Sequence, residues 1–402
     1  MQNSRVKLRW VSKMRDVVII GAGQTKFGEH WEKSLRELAV EAGLRAIEDA
    51  GIYSKDIDAI YGGNMSAGSS TFQDNIGTLI ADFTGLAINN IPAIRVENGS
   101  ASGAAALHEG FIAVASGIYD TVLVGGVEKL TDVPMENIND VISGEIDREW
   151  EAFNGSTLAA SAAMIARRYM YEYNAKREHI AHIPVISHRH GSLNPYAHYK
   201  NTIKIEDVLN STIVADPLTM LDCAPISDGA SAVILTTMEN AKKLKNDGIV
   251  RIKASTLASD FISLHSRDNI TSFRSTIEAS RKAYKMAKLE PKDISFVELH
   301  DAYSIFGLIA LEDLGFFRKG EAGKYLEEGY GNLDSKLPIN PSGGLKAKGH
   351  PLGATGVGQV VESVFQLRKQ ADKRQVSDPR YALTHSMSGA GGSSIIHILE
   401  VV

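Results

Sequence analysis

Apolar residues along this chain fall into two alternating patterns. Residues 17–20 form an uninterrupted apolar run, which is typical of a buried strand. A stretch with helical spacing follows and ends at Gly51, and its apolar members are Leu35, Leu38, Ala39, Ala42, Leu44, Ala46 and Ile47. Because runs of the two kinds alternate over most of the chain, we predict an α/β fold.

Three segments from the first part of the chain recur, in the same order, in the second part. Lys55-Asp-Ile57 recurs as Lys292-Asp-Ile294, Ala101-Ser-Gly103 as Ala354-Thr-Gly356, and Thr121-Val-Leu-Val124 as Tyr381-Ala-Leu-Thr384. The preserved order predicts two similar halves, residues 16–250 and 251–402. Chance likeness between two α/β segments is the alternative.

Residues 128 to about 215 interrupt this alternation, and we predict that they form an inserted loop domain that supplies ligand contacts. Within them, residues 177–199 contain five histidines but no HExxH pattern, so we interpret them as surface residues of a loop. Residues 1–15 carry five basic side chains and are predicted to form a solvated N-terminal tail.

Composition narrows the possible functions. The 402 residues, with a formal net charge of −5, are enough for two or three domains and offer no general attraction to phosphates. We therefore expect neither nucleic acid nor an anionic membrane as a partner. No apolar stretch reaches the ~18 residues that span a bilayer. The single cysteine, Cys223, can form neither an internal disulfide nor a sulfur cluster for zinc, so we expect a cytoplasmic protein with no metal site. We interpret Cys223 as a buried, inert thiol.

Small residues around Ser100 predict a sharp turn from a strand into a helix. Such a turn exposes a hydroxyl at a helix N-terminus beside unpaired backbone N–H groups, which is the arrangement of a nucleophile and half of an oxyanion hole. The alternative is that Ser100 only caps the helix.

Three further loops carry chemistry. His350 occupies the second half's counterpart of the Ser100 region, so a duplicated fold would bring its imidazole towards Ser100 as a base. His300 stands between a predicted strand and a helix that begins near Ser304. The glycine-rich turn from His385 to Gly392 offers several backbone N–H groups.

These loops, in this order, resemble those of the thiolases, most closely the archaeal acetyl-CoA acetyltransferases and the sterol-carrier-type thiolases. The most specific segment runs from Gly344 through His350 to Gly356, and the resemblance covers nearly the whole chain. It implies a thiolase fold, which is a duplicated five-layered αβαβα arrangement with an inserted loop domain. It also implies a homodimer or homotetramer, coenzyme A thioesters as substrates, and no metal or redox cofactor.

The resemblance assigns roles to residues. It implies that Ser100 is the nucleophile, His350 its activating base and His300 the holder of the second substrate's thioester oxygen. Ser386 falls on an acid/base position, and the backbone N–H groups of Ser100 and Ser388 are implied to form an oxyanion hole. The implied substrate-binding residues are Ala224, Pro225, Ser227 and Gly389.

Two positions depart from the family pattern, because Ser100 and Ser386 stand where thiolases carry cysteines. A hydroxyl needs a base during attack, whereas a thiol with a pKa of ~8.5 is partly ionised at neutral pH. An oxygen ester is also a less activated acyl group than a thioester. We therefore expect weakened catalysis.

The resemblance implies Claisen condensation of two acetyl-CoA molecules to acetoacetyl-CoA, the first step of the mevalonate pathway, or the reverse thiolysis. One alternative is a non-catalytic subunit that scaffolds a hydroxymethylglutaryl-CoA synthase and a zinc-ribbon/OB-fold protein. A second alternative is a hydrolase or O-acyltransferase that uses Ser100 and His350.

Overall fold

The computed structural model describes residues 14–244 and 248–402. Over these residues the strands are β1 (Val17–Gln24), β2 (Ala59–Gly63), β3 (Ala93–Val96), β4 (Thr121–Glu128), β5 (Ile213–Ala215), β6 (Leu218–Thr219), β7 (Gly229–Thr237), β8 (Val250–Ser259), β9 (Phe296–Glu298), β10 (Tyr381–Ser388) and β11 (Ser393–Val401). Strand and helix alternate along the chain as predicted.

The helices of the described residues are α1 (Leu35–Ala50), α2 (Ala67–Ser70), α3 (Ile76–Phe83), α4 (Ser102–Ser116), α5 (Ile138–Ile142), α6 (Leu158–Tyr173), α7 (Arg177–Gly191), α8 (Ile205–Asn210), α9 (Met238–Lys243), α10 (Arg274–Ala287), α11 (Ser304–Asp313), α12 (Ala322–Glu327) and α13 (Leu352–Leu367). Local signals account for their ends: Ser34 and Glu37 form a capping box at the start of α1, and Gly51 ends it in the left-handed conformation.

Nine strands form one sheet in the order β3-β2-β4-β7-β1-β8-β11-β10-β9. The first five strands in this order come from the first half of the chain and the last four from the second half. The two groups are joined by a short antiparallel contact between β1 and β8, which pairs Val18 with Arg251 and Ile19 with Val250. The sheet therefore divides into two portions that follow the predicted halves.

The side chains of β1 show how the layers are built. Val18 and Ile20 face outwards onto α1 and α3, whereas Val17 and Ile19 face inwards onto α4 and α13. The outer face of the second portion packs against α10 and α11. The resulting order, helices–sheet–helices–sheet–helices, is the predicted five-layered α/β arrangement.

The three repeated segments occupy equivalent places in the two halves. Lys55 and Lys292 each lie in a single 3₁₀ turn that leads into a strand, β2 or β9. Gly103 and Gly356 lie near the beginnings of α4 and α13, and Thr121 and Tyr381 begin β4 and β10.

Between the end of β4 at Glu128 and the start of β7 at Gly229, the inserted segment contains α5 to α8 and the β5–β6 hairpin. Helices α6 and α7 pack against the second half, where the Tyr169 hydroxyl donates to Glu312 and the Ser187 hydroxyl donates to Asp301. The insertion thus links the two halves.

The prediction of a surface loop for the histidine-rich stretch is wrong, because most of it forms α7. His179, His188 and His190 are buried in this helix. His190 Nδ1 lies 3.0 Å from the backbone oxygen of Ile339, and burial lowers the pKa of His190 to about 4. These histidines are therefore neutral core residues. The sequence pattern did not predict this helix because its buried positions include polar residues, so no apolar spacing of 3–4 residues is visible.

Most of the predicted tail, residues 1–13, lies outside the described residues. Arg15 is anchored: its guanidinium donates to the backbone oxygens of Val114 and Tyr119 and pairs with Asp120. Among the described helices, none has the length and apolar character needed to cross a membrane.

The central helices α4 and α13 approach each other through glycines. A β-carbon added to Gly103 would lie 2.4 Å from the backbone oxygen of Gly353, and one added to Gly356 would lie 2.4 Å from the backbone nitrogen of Ala104. Only glycine permits this separation, because the atoms in contact are backbone atoms that cannot rotate away.

We expect Gly103→Ala to lower the free energy of unfolding by about 1–3 kcal/mol, because the new methyl group must push apart two backbones. Urea unfolding followed by circular dichroism measures this. Gly43→Ala in α1 is the matched control, since the nearest atom to its new β-carbon is a Thr84 methyl at 3.7 Å. Both changes gain the same helix propensity, so equal stability of the two variants would contradict the proposed contact.

Candidate functional site

One small cavity brings together most of the predicted site residues. It has a volume of about 40 Å³ and lies where the inserted segment meets the two central helices. Its lining residues are Ser100, Leu130, Ile142, Glu145, Leu158, Ala224, Pro225, Ile226, His300, Ala302, Tyr303, His350 and Leu352. The lining combines an apolar wall with a few polar groups, as binding sites for small organic groups do.

Ser100 lies in the turn between β3 and α4, just after Gly99, whose φ of 55° is left-handed. Its hydroxyl lies 2.7 Å from Glu145 Oε2 and 3.0 Å from the backbone oxygen of Met387. The residue that precedes α4 as its cap is Ala101. The hydroxyl is thus directed at acceptors across the site, and the capping alternative is excluded.

Two backbone N–H groups converge on one point beside this hydroxyl. The N–H groups of Ser100 and Gly389 both donate to Glu145 Oε2, at 2.8 Å and 2.7 Å. Paired N–H groups of this kind form an oxyanion hole. The N–H group beside that of Ser100 belongs to Gly389, where the chain turns, whereas the predicted Ser388 pairs with Ser393 in the β10–β11 ladder.

His350 precedes α13 and is oriented by Thr355. Its Nδ1 lies 2.8 Å from the Thr355 hydroxyl, which itself donates to the backbone oxygen of Pro351 at 3.0 Å. Because the hydroxyl proton is used in that bond, the imidazole must donate from Nδ1, which leaves Nε2 unprotonated. Burial, and to a smaller degree Lys346, lowers the pKa of His350 to about 3, so the ring is neutral at neutral pH.

His300 lies between β9 and α11, as predicted, and packs edge-on against His350 with 5.1 Å between ring centroids. Its Nδ1 is buried without a hydrogen-bond partner among the described atoms. Burial and the neighbouring His350 lower the pKa of His300 well below its usual value. A buried polar atom without a partner favours binding of a group that supplies one.

The remaining predicted residues divide into two groups. Ala224 and Pro225 line the cavity, and the Ser227 hydroxyl accepts a hydrogen bond from the backbone N–H of His350 at 3.3 Å. The Ser386 hydroxyl donates to Gln359 Oε1 at 2.7 Å in the buried interior. The hydrogen-bond partner of Ser386 is therefore Gln359, which does not line the cavity.

Cys223 is adjacent to this lining. Its thiol donates to the backbone oxygen of Thr219, and burial raises the pKa of Cys223 to about 11. This keeps the thiol protonated and agrees with its interpretation as an inert residue. Within the described ranges, no three His, Cys, Asp or Glu side chains are grouped so that they could hold a metal ion.

A second cavity of about 360 Å³ opens towards the surface and shares Leu130 and Ile226 with the first. Trp31, which is 70% exposed, stands at this second cavity. Leu130 and Ile226 therefore lie between the cavity that contains Ser100 and the one that opens to the surface.

Sequence reasoning missed Glu145, Thr355 and Tyr303 as cavity or support residues. Glu145 lies in a polar, irregular part of the insertion, and its position against Ser100 depends on a contact between residues 45 apart in sequence. The one signal in the sequence was a lone acid between apolar residues, Ile142 and Ile146.

Family profiles match both halves of the chain. The profile described as "Thiolase, N-terminal domain" matches residues 17–239, and the profile described as "Thiolase C-terminal domain-like" matches residues 257–401. The gap between the two matches contains the start of β8, where the two sheet portions join.

Individual relatives match over nearly the full chain. An acetyl-CoA acetyltransferase of Methanothermobacter thermautotrophicus is 52% identical over 96% of this chain and 100% of its own length. Sterol carrier protein 2 of Gallus gallus is 34% identical over 95% of this chain and 71% of its own length. A solved structure named "Ltp2-ChsH2(DUF35) aldolase" has a TM-score of 0.84 at 28% identity and covers 97% of this chain and 99% of that chain.

We expect Thr355→Val to leave the fold intact but to release the tautomer of His350, because the Nδ1 proton loses its acceptor. Nitrogen-15 NMR of histidine-labelled protein should show one tautomer in the wild type and a mixture in the variant, with His350→Gln used for assignment. Thr355→Ser retains the hydroxyl and should keep the wild-type spectrum. An unchanged His350 spectrum in Thr355→Val would contradict the orientation described above.

Proposed function

The chain belongs to the thiolase family and is an acyltransferase, and from this premise we propose that it condenses two acetyl-CoA molecules to acetoacetyl-CoA or catalyses the reverse thiolysis. The observation that carries the proposal is the single cavity that Ser100, His300 and His350 share. A nucleophile, a basic imidazole nitrogen and a donor pair for an oxyanion are the groups that acyl transfer requires.

In the first half-reaction, the Ser100 oxygen attacks the thioester carbon, and the oxyanion is stabilised by the N–H groups of Ser100 and Gly389. The carbon–sulfur bond breaks, and the coenzyme A sulfur takes the proton that the Ser100 hydroxyl lost. In the second half-reaction, Nε2 of His350 takes a proton from the α-carbon of the second acetyl-CoA, and His300 stabilises its enolate oxygen. The α-carbon then bonds to the acyl carbon on Ser100, the ester carbon–oxygen bond breaks, and the Ser100 oxygen takes the proton from His350. This sequence uses only CoA thioesters and the chain's own residues.

The serine makes this cycle slow. Acyl transfer from one thioester to another is nearly balanced, whereas an ester on the Ser100 oxygen is more stable and reacts less readily with an enolate. We propose that Ser100 is a weakened nucleophile for this reason, and that the cavity's exclusion of water limits hydrolysis of the ester.

The two neighbouring cavities would together accommodate the narrow, flexible arm of a CoA thioester. Apolar contacts from Leu130 and Ile226 would cover the arm, and Trp31 offers an exposed ring near the entrance. Ala224 and Pro225 would contact the thioester end. These contacts support acyl-CoA and coenzyme A as ligands.

A second candidate is cleavage of a carbon–carbon bond in a 3-hydroxyacyl-CoA without a covalent intermediate. The observation that favours it is that Glu145 occupies both N–H donors beside Ser100, while His300 and His350 face the cavity. The structural neighbour at 28% identity is itself named an aldolase. Release of an aldehyde or ketone from such a substrate, at equal rates in wild type and Ser100→Ala, would favour this candidate.

We also propose assembly with other chains. Strand β3 lies at the sheet edge with Ile94 49% exposed, which supports pairing with a second copy to give a homodimer or homotetramer. The neighbour named with a DUF35 component supports a small scaffold protein as a further partner, and a hydroxymethylglutaryl-CoA synthase would then consume the product in a cytoplasmic mevalonate pathway. Copurification from the native host tests this.

We expect Ser100→Ala to lower the rate of acetoacetyl-CoA thiolysis at least 100-fold, because the acyl acceptor is lost. Ser100→Cys should raise the rate about tenfold, since the intermediate becomes a thioester that returns readily to coenzyme A. Chromatography of the CoA thioesters measures both rates.

The matched control is Ser102→Ala, which removes a neighbouring hydroxyl that bonds within the same turn. A wild-type rate in Ser100→Ala would contradict acyl transfer through this residue. If the wild type shows no thiolysis but Ser100→Cys does, the wild-type protein does not catalyse this reaction, and only the other candidate functions remain.

A further inference from the structure

We propose that Glu145 is a further catalytic residue of this site, the base that accepts the proton of the Ser100 hydroxyl during attack. The inference rests on the proposed function for its substrate class, acyl thioesters. It arises from a contact that neither histidine makes: the carboxylate of Glu145 lies at hydrogen-bond distance from the attacking oxygen.

The geometry around Ser100 favours this assignment. The Ser100 hydroxyl has two acceptors within reach, Glu145 Oε2 at 2.7 Å and the backbone oxygen of Met387 at 3.0 Å. A backbone amide oxygen is far too weak a base to take a proton, so the carboxylate is the basic partner. His350 lines the same cavity, but its unprotonated Nε2 remains free for the substrate.

The backbone is shaped around this carboxylate. Gly99 and Gly389 both have left-handed φ values, 55° and 51°. A β-carbon added to Gly99 would lie 2.7 Å from Glu145 Oε2, and one added to Gly389 would lie 2.3 Å from the backbone oxygen of Glu145. Two glycines from opposite halves of the chain thus leave room for the same acidic residue.

The surroundings of Glu145 make its proton affinity suitable for this task. Burial is the largest influence and raises the pKa of Glu145, while hydrogen bonds from Ser100 and Gly389 oppose it. The titratable groups that face Glu145 are Glu97, Tyr303, His300 and His350. Glu97 carries a like charge that raises the pKa further, and the two buried imidazoles are neutral. A carboxylate with a raised pKa is a stronger base.

The step balances as follows. The proton of Ser100 Oγ moves to the Glu145 carboxylate while Oγ forms a bond to the thioester carbon. The carbonyl oxygen becomes an oxyanion, and the tetrahedral intermediate then breaks its carbon–sulfur bond. The leaving thiolate takes the proton back from Glu145, so the products are acyl-Ser100, a free thiol and the original carboxylate.

This step also explains how the oxyanion hole becomes free. In the resting protein, Glu145 Oε2 accepts the N–H groups of Ser100 and Gly389, the same donors that the substrate oxyanion needs. A carboxylate accepts hydrogen bonds more strongly than a neutral carboxylic acid. The Glu145 carboxyl therefore has to shift off these donors before the substrate oxygen can accept them, and its protonation during attack weakens its hold on them.

A fluorophosphonate tests activation of the hydroxyl without requiring a CoA substrate. Its phosphorus forms a bond to the serine oxygen, fluoride leaves, and the serine proton passes to the base. We expect phosphonylation of Ser100 in the wild type, located by peptide mass spectrometry, with a rate that falls as the pH drops through the titration of Glu145. Glu145→Gln, which keeps the shape and can still accept the two N–H groups, should be at least 100-fold slower and should lose this pH dependence.

Two further variants separate a base from a carboxylate that merely blocks the site. Glu145→Ala empties the oxyanion hole, so a blocking role predicts faster labelling, whereas the proposal predicts labelling as slow as in Glu145→Gln. Glu149→Gln removes an exposed acid of the same insertion and should stay within threefold of the wild type. Labelling of Glu145→Gln or Glu145→Ala at the wild-type rate or faster would overturn the proposal, as would absence of labelling in the wild type.

A parallel incubation with acetyl-CoA tests the proposed substrate separately from the role of Glu145. The acetyl adduct is detected by intact-mass spectrometry. Glutamate-dependent labelling by the fluorophosphonate without any acetyl adduct would support Glu145 as the base and contradict acetyl-CoA as the substrate. An acetyl adduct that forms equally well in Glu145→Gln would support the proposed function and overturn the role of Glu145.

Discussion

The site depends on one packing constraint, the direct contact between the backbones of the two central helices. Gly103 of α4 meets the Gly353 backbone of α13, and Gly356 meets Ala104. α4 begins two residues after Ser100 and α13 begins two residues after His350, so bringing the two helix starts together also brings Ser100 and His350 to one cavity. The contact leaves no room for a single methyl group. The close packing of the two helices therefore fixes the positions of the polar side chains at the site, which lie several residues away.

Much of this arrangement could be predicted from the sequence because local sequence patterns indicate it. The internal repeat indicated two halves, and glycine-flanked turns indicated where Ser100, His300 and His350 lie between strand and helix. Duplication then supplied the missing long-range information, since equivalent helix starts in the two halves meet near one axis. The family resemblance added the five layers, which no local pattern shows.

The parts that escaped prediction depend on contacts between distant segments. The histidines of α7 were predicted to be polar surface residues. The helix is buried instead, because it packs between the rest of the insertion and the second half. Nδ1 of His190 is hydrogen-bonded to a backbone oxygen 149 residues away. The N–H group of Gly389, rather than that of Ser388, lies beside the Ser100 N–H because the chain turns after β10. Glu145 reaches Ser100 from the insertion, whose path no periodicity constrains.

The pairing of a serine with a buried carboxylate has a chemical logic of its own. A carboxylate beside a thiol disfavours the thiolate, because it places two negative charges together, and so offsets part of the advantage of cysteine as a nucleophile. A hydroxyl attacks while losing its proton and is helped by the same neighbour. The desolvated cavity strengthens this distinction, since His300, His350 and Tyr303 all have pKa values displaced by burial towards their neutral forms. The Ser100 hydroxyl is hydrogen-bonded directly to Glu145 in this cavity, so the residue at position 100 and the acid at position 145 are best understood as one functional unit.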